Sequence, residues 1–232
     1  MTVDRSAVPA DPHTLAPIGL LGGSFDPIHI GHLQLARDAR DHLHLAEVRL
    51  LPAGQPWQKA ELTAAAHRAR MVALAIDAEP GLVLDTHEID RGGPTYTIDT
   101  LRALRAELGP QRPLVLVIGS DQLRRLDTWR DWIALTDYAH LAVAARNGEA
   151  LDLAQPLADW RKKRLRPVAA LREAAAGCVV DLPMTPVDAS ATEIRMLLRA
   201  PRSTAGDARL ARLVPAAVLL YIRREGLYAA SV

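Results

Sequence analysis

Short apolar runs alternate with longer amphipathic stretches along most of the chain. Ile18–Leu21, Val48–Leu51, Leu82–Leu84, Leu114–Ile118, Leu141–Ala144 and Val179–Leu182 read as buried strands. Between them, His32–Leu45, Leu62–Ala78, Thr97–Leu108 and Asp121–Thr136 space their apolar residues at helical intervals and predict helices. Such alternation predicts an α/β fold: a mainly parallel sheet with helices on both faces and a ligand crevice beyond the carboxyl ends of the strands.

Two regions depart from the alternation. Met1 to Pro17 holds three prolines and no long apolar run, so it reads as a disordered lead-in and not as a signal peptide. Residues 18–230 then form one expected domain. Within it, Glu149–Gly177 reads as an inserted excursion, with Pro156, Pro167 and the basic run Arg161-Lys162-Lys163-Arg164-Leu165-Arg166. A solvated helix face is the default reading of such a run.

Composition narrows the classes further. The chain of 232 residues carries 28 Lys and Arg against 27 Asp and Glu, a net charge of +1, so no global field points to nucleic acid or a membrane surface. One cysteine, Cys178, can form no internal disulfide and hold no structural zinc by itself, which fits a reducing cytoplasm. No apolar stretch reaches membrane-spanning length.

The densest chemistry follows the first predicted strand, in Gly22-Gly23-Ser24-Phe25-Asp26-Pro27-Ile28-His29-Ile30-Gly31-His32. Gly22 and Gly23 lack the Cβ that would keep a ligand from the backbone. A helix starting near Gly31 would aim amide groups and its positive dipole end at the same place. His29 and His32, three apart, would share one side of its first turn. Two imidazoles beside an amide nest suit an anion. The spacing fits neither a Walker loop nor the dinucleotide fingerprint. A metal reading of His29 and His32, with His42 and His44, lacks a third ligand.

Two other strand ends carry polar groups. Leu114–Ile118 runs into Gly119-Ser120-Asp121, and Val179–Leu182 leads to Ser190-Ala191-Thr192-Glu193-Ile194-Arg195. The latter resembles a helix start, with Ser190 as N-cap and Glu193 in the capping-box position.

His29-Ile30-Gly31-His32 and its glycine context resemble the HxGH signature of the nucleotidyltransferase superfamily. Pro94-Thr95-Tyr96-Thr97, Ile118-Gly119-Ser120-Asp121, Thr128-Trp129, Ser190–Arg195 and the ending Glu225-Gly226-Leu227-Tyr228 are similar to blocks of the bacterial nicotinate mononucleotide adenylyltransferase family. The resemblance runs from about Ile18 to Tyr228. It implies a Rossmann-like nucleotidyltransferase fold and transfer of the adenylyl group of ATP to nicotinate mononucleotide, without a covalent enzyme intermediate.

That resemblance also implies roles. His29 and His32 would contact the ATP phosphates and stabilise charge as pyrophosphate leaves. Gly22, Gly23, Ser24 and Phe25 would line the crevice shared by the two substrates. Ser190, Thr192 and Arg195 would hold the β- and γ-phosphates. Gly119 would permit close approach, and Asp121 would bond a ribose, with an N-cap the equal alternative. Trp129 would stack on the pyridine ring, Tyr96 would lie nearby, and the backbone at Thr97 and Arg130 would meet the nicotinate carboxylate. Magnesium would be held by phosphates and water, with no protein ligand.

One departure stands out. Many family members carry Pro-Pro-His-Lys where this chain has Pro56-Trp57-Gln58-Lys59, so only Lys59 carries over, as a phosphate contact. The competing readings are another nucleotidyltransferase, such as a phosphopantetheine adenylyltransferase or a cytidylyltransferase, and a nucleotide sensor that has lost turnover.

Overall fold

The structure, a computed structural model, describes residues 15–56, 62–146 and 151–229. Trp57, Gln58 and Lys59 lie outside them, as do residues 1–14 of the expected lead-in.

Six strands form one parallel sheet: β1 (Ile18–Gly23), β2 (Glu47–Pro52), β4 (Leu82–Leu84), β6 (Leu114–Gly119), β7 (His140–Arg146) and β8 (Val179–Met184). Their spatial order is β4-β2-β1-β6-β7-β8. The chain builds outward from β1 to one edge and then returns to build from β6 to the other. This reversal opens a crevice where β1 and β6 diverge, the site at which open α/β sheets bind ligands. A separate pair, β3 (Gln55–Pro56) and β5 (Pro94–Thr95), lies in the loops above that crevice.

Alternation along each strand sends residues to two cores. On one face lie Leu21, Val48, Leu50, Val115, Val117, Ala142, Ala144, Val180 and Leu182. They are covered by α1 (Ile30–His42), α2 (Ala65–Ile76), α8 (Ala191–Arg199), α9 (Thr204–Leu213) and α10 (Ala216–Arg224). On the other face lie Ile18, Leu20, Leu114, Leu116, Ile118, Leu141 and Val143, covered chiefly by α4 (Thr97–Leu108), α6 (Leu135–Tyr138) and α7 (Leu157–Arg164). The short helix α3 (His87–Arg91) follows β4.

The six strands and three of the four long helices fall where the periodicity puts them. The stretch 121–136 does not form one helix. It breaks into α5 (Ser120–Leu123), a 3-10 turn at Leu126–Thr128, an extended Trp129 (ψ 144°) and a left-handed Asp131 (φ 50°), before a second 3-10 turn and α6. Leu123, Leu126 and Leu135 stay buried across the break, and Leu123, Leu126, Trp129 and Ile133 keep three- and four-residue intervals, which is why helical spacing in the sequence misreads it.

From residue 151 the stretch after β7 contains α7 and a 3-10 turn at Val168–Arg172, which carry the chain across to β8. Leu157 and Trp160 of α7 are buried, whereas Lys162 and Lys163 of the basic run are exposed and Arg161 pairs with Asp181. Cations at that end of the helix oppose its dipole favourably. Among the described residues no helix is long and apolar enough to cross a membrane.

Candidate active site

The turn after β1 places two groups of side chains. Phe25 adopts φ 47° and turns its ring fully into the core. A Cβ on Gly23 would stand 3.0 to 3.3 Å from that ring, so glycine is what lets the turn fold over its own phenylalanine.

α1 begins at Ile30 and is capped by histidines. The His29 Nδ1 accepts from the Gly31 amide at 3.2 Å, and the His32 Nδ1 accepts from the His29 amide at 3.3 Å. The rings stack with centroids 3.8 Å apart, and Phe25 meets His32 edge-on at 5.0 Å. A nitrogen that accepts carries no proton, so capping assigns each neutral ring its proton at Nε2. Burial pushes the His29 pKa down to about 4, which keeps that ring neutral at physiological pH.

The second motif comes to the same place. Ser190 caps α8, its Oγ accepting from the Glu193 amide at 3.2 Å. The carboxylate of Glu193 does not close the capping box; it pairs with Arg209 instead, at 2.8 Å. Arg195 donates to the Asp26 carbonyl at 2.7 Å and to Thr192 Oγ1 at 3.4 Å. A Cβ on Gly31 would lie 3.8 Å from Ala189, so the starts of α1 and α8 adjoin. His29, His32, Ser190, Thr192 and Arg195 therefore form one cationic and hydrogen-bond-donating corner.

On the other side of the glycine turn is a cavity of about 210 Å³, lined by Gly22, Gly23, Ser24, Ala53, Glu88, Tyr96, Thr97, Trp129 and Arg130, with Leu20 and Leu116–Ile118 of the diverging strands behind them. Tyr96 is the N-cap of α4, and no side chain caps that helix, so its positive end opens at the cavity wall. The Arg130 guanidinium lies 4.9 Å from the Tyr96 ring centre and 3.6 Å from Asp99. Trp129 is half-buried against the second core. Ser24, Tyr96, Thr97, Trp129 and Arg130 are thus brought together.

Gly119 and Asp121 stand at the end of β6. A Cβ on Gly119 would lie 2.5 Å from Asp121 Oδ1, so glycine is needed for the carboxylate to fold back there. Asp121 is exposed within the first turn of α5 and is not its N-cap; that position is Gly119, whose amide donates to Gln122.

Several polar residues beneath the loops escape sequence reading. Glu88 lies in the cavity floor, accepts from Thr100 Oγ1 at 2.8 Å, and has its pKa raised by burial. Arg68, 1% exposed, donates to three backbone carbonyls, of Thr63 at 2.8 Å, Ser24 at 2.9 Å and Gly54 at 3.1 Å. Asp26, 4% exposed, accepts from the Tyr228 hydroxyl at 2.6 Å. Among the described residues no group of three or more His, Cys, Asp or Glu could hold a metal ion.

The cytidylyltransferase-like family model matches residues 20–197. A probable nicotinate-nucleotide adenylyltransferase of Bordetella petrii is 48% identical over 212 residues, 91% of this chain and 98% of that protein. One from Aeromonas salmonicida is 46% identical over 217 residues, 93% and 98% of the two. Among solved structures, the nicotinic acid mononucleotide adenylyltransferase of Plasmodium falciparum complexed with NaAD shares the fold, with a TM-score of 0.69 at 17% identity over 92% of this chain and 97% of that one. The chain belongs to the cytidylyltransferase-like nucleotidyltransferases and, among them, to the nicotinate-nucleotide adenylyltransferase family.

Proposed function

We propose that this protein transfers the adenylyl group of ATP to nicotinate mononucleotide, forming nicotinate adenine dinucleotide and pyrophosphate in NAD biosynthesis, in the cytoplasm. The observation that carries the reading is the shared glycine turn. A donor-rich corner suited to a triphosphate lies on one side of it, and a half-aromatic cavity walled by a helix N-terminus lies on the other. Two substrates seated there would meet over Gly23 and Ser24.

In this reading a phosphate oxygen of the mononucleotide attacks the α-phosphorus of ATP. A new P–O bond forms as the bond to the bridging oxygen breaks, and pyrophosphate leaves with the electron pair. The nucleophile comes from the substrate, so the protein positions groups and stabilises charge. His29 and His32 donate from Nε2 to the phosphates. Arg195, always charged, holds the β- and γ-phosphates with Ser190 and Thr192. Lys59, which lies outside the described residues, would supply a further phosphate contact by the family resemblance.

On the acceptor side, Trp129 stacks on the pyridine ring beside Tyr96. The Thr97 backbone, at the positive end of α4, and Arg130 meet the carboxylate. Burial raises the Glu88 pKa, the direction that eases protonation of this carboxyl when an anion enters the cavity. The donors at the corner fit phosphate oxygens and not a bare cation, so a magnesium ion would be held by the ATP phosphates and water and would supply charge neutralisation there.

The test separates an enzyme from a nucleotide sensor. ATP binding is measured by calorimetry, and dinucleotide formation by mass spectrometry, on the same protein with magnesium and nicotinate mononucleotide. Product formed in step with pyrophosphate supports the transferase; ATP binding with no product would support the sensor.

A further inference from the structure

The C-terminal turn is built to reach the glycine loop. α10 ends in a Schellman arrangement: Gly226 takes φ 62°, the Leu227 amide donates to the Ile222 carbonyl at 3.0 Å, and the Gly226 amide donates to the Arg223 carbonyl at 3.4 Å. This reverses the chain and packs Leu227 and Tyr228 against the first core. Tyr228 itself adopts φ 64°, a conformation unfavourable for a tyrosine, and its hydroxyl ends 2.6 Å from Asp26 Oδ1.

Asp26 is the point where the loop is held. One carboxylate oxygen takes the Tyr228 hydroxyl, and the other takes the Thr63 amide at 3.5 Å. Its carbonyl takes the Arg195 guanidinium at 2.7 Å. From below, Arg68 grips the Ser24 and Thr63 carbonyls, so the loop is braced on both sides of Phe25. Arg68 ties the backbone to the core through the carbonyls it bonds. The Tyr228–Asp26 contact differs, because Asp26 is also the residue whose carbonyl orients Arg195.

We propose that Tyr228 is a positioning residue for adenylyl transfer: by fixing Asp26 it sets the direction of the Arg195 guanidinium toward the ATP phosphates. A buried carboxylate left with one partner fewer rotates to find another, and the peptide that follows it moves with it. Displacement of a charged group by about 1 Å at a phosphoryl-transfer site costs far more rate than it costs stability. This inference rests on the adenylyl-transfer reading above.

The test is a double-mutant cycle on the full chain with ATP, magnesium and nicotinate mononucleotide. Tyr228→Phe removes one hydroxyl and keeps the ring in its packing. It should lower kcat by about tenfold, leave the KM for the mononucleotide within about twofold, and lower Tm by only the few degrees that one hydrogen bond lost to a buried carboxylate costs. In an Arg195→Ala background, the same change should cost less than about twofold, since the group it positions is gone. A loss by the same factor in both backgrounds, or none in either, overturns the proposal and leaves a structural contact. A wild-type chain that makes no dinucleotide takes down the adenylyl-transfer reading as well. An Arg195→Ala variant as fast as wild type removes Arg195 from the site and overturns the proposal with it.

Discussion

The imidazoles of His29 and His32 lie one above the other, with centroids 3.8 Å apart and planes inclined by 27°. Both spend Nδ1 on capping α1, and that use dictates what each ring can offer a ligand. Capping and the proposed phosphate binding would consequently be two uses of the same side chains, drawing on opposite nitrogens.

Replacing His32 with alanine should lower turnover by about two orders of magnitude, the effect of removing one preorganised donor from a transition state. The lost cap should cost only about 1 kcal/mol of stability, so the fold survives. Steady-state kinetics alongside thermal unfolding checks this. Turnover near that of wild type would remove His32 from the mechanism.

The His29 ring should titrate near pH 4 in the free protein, as followed by NMR, because burial holds it there. In the unfolded chain its pKa is about 6.5, so between these values only the unfolded state binds the proton. His29 thus imposes no titration penalty above about pH 6.5, and the penalty grows to on the order of 3 kcal/mol as the pH falls to about 4. His29→Asn should flatten this part of the stability profile. A ring midpoint near 6.5 in the native protein would contradict the buried, neutral assignment.

Trp129→Ala should raise the KM for nicotinate mononucleotide about tenfold, the size of one ring-stacking contact, while the KM for ATP changes by less than about twofold. Equal changes in both constants would contradict a stacking role on the acceptor side.

Asp38 on α1, 5% exposed, accepts from the Thr185 amide at 2.7 Å, the Thr185 hydroxyl at 3.1 Å and Gln34 at 2.8 Å, which ties α1 to the chain leaving β8 for α8. Asp38→Ala should destabilise the protein by about 2 kcal/mol, as expected for a buried acceptor whose donors lose their partner. Denaturant unfolding reads this directly. An unchanged midpoint would mean that the two motifs are held together by packing alone.

The strands were legible because parallel strands covered on both faces are short continuous apolar runs, and Leu114–Ile118 or Val179–Leu182 can hardly be read otherwise. The glycine turn was legible because its residue types have few other uses at that spacing. Asp121–Thr136 misled because Leu123, Leu126, Trp129 and Ile133 recur at three- and four-residue intervals although Trp129 and Asp131 leave helical conformation. The structural roles of Arg68 and Asp26 were invisible for a different reason. Arg68 looks like any arginine on a helix, and its partners Ser24 and Gly54 stand 44 and 14 positions away; Asp26 meets Tyr228 across 202 positions. The β3–β5 pairing is two residues long and leaves no period to detect.

The most direct test of the central claim is pyrophosphate release from ATP and magnesium with nicotinate mononucleotide, nicotinamide mononucleotide and phosphopantetheine offered separately as acceptors. Fast release with the nicotinate form, and much slower release with the other two, is the predicted result. Release that is fastest with phosphopantetheine, or absent with all three, would contradict it.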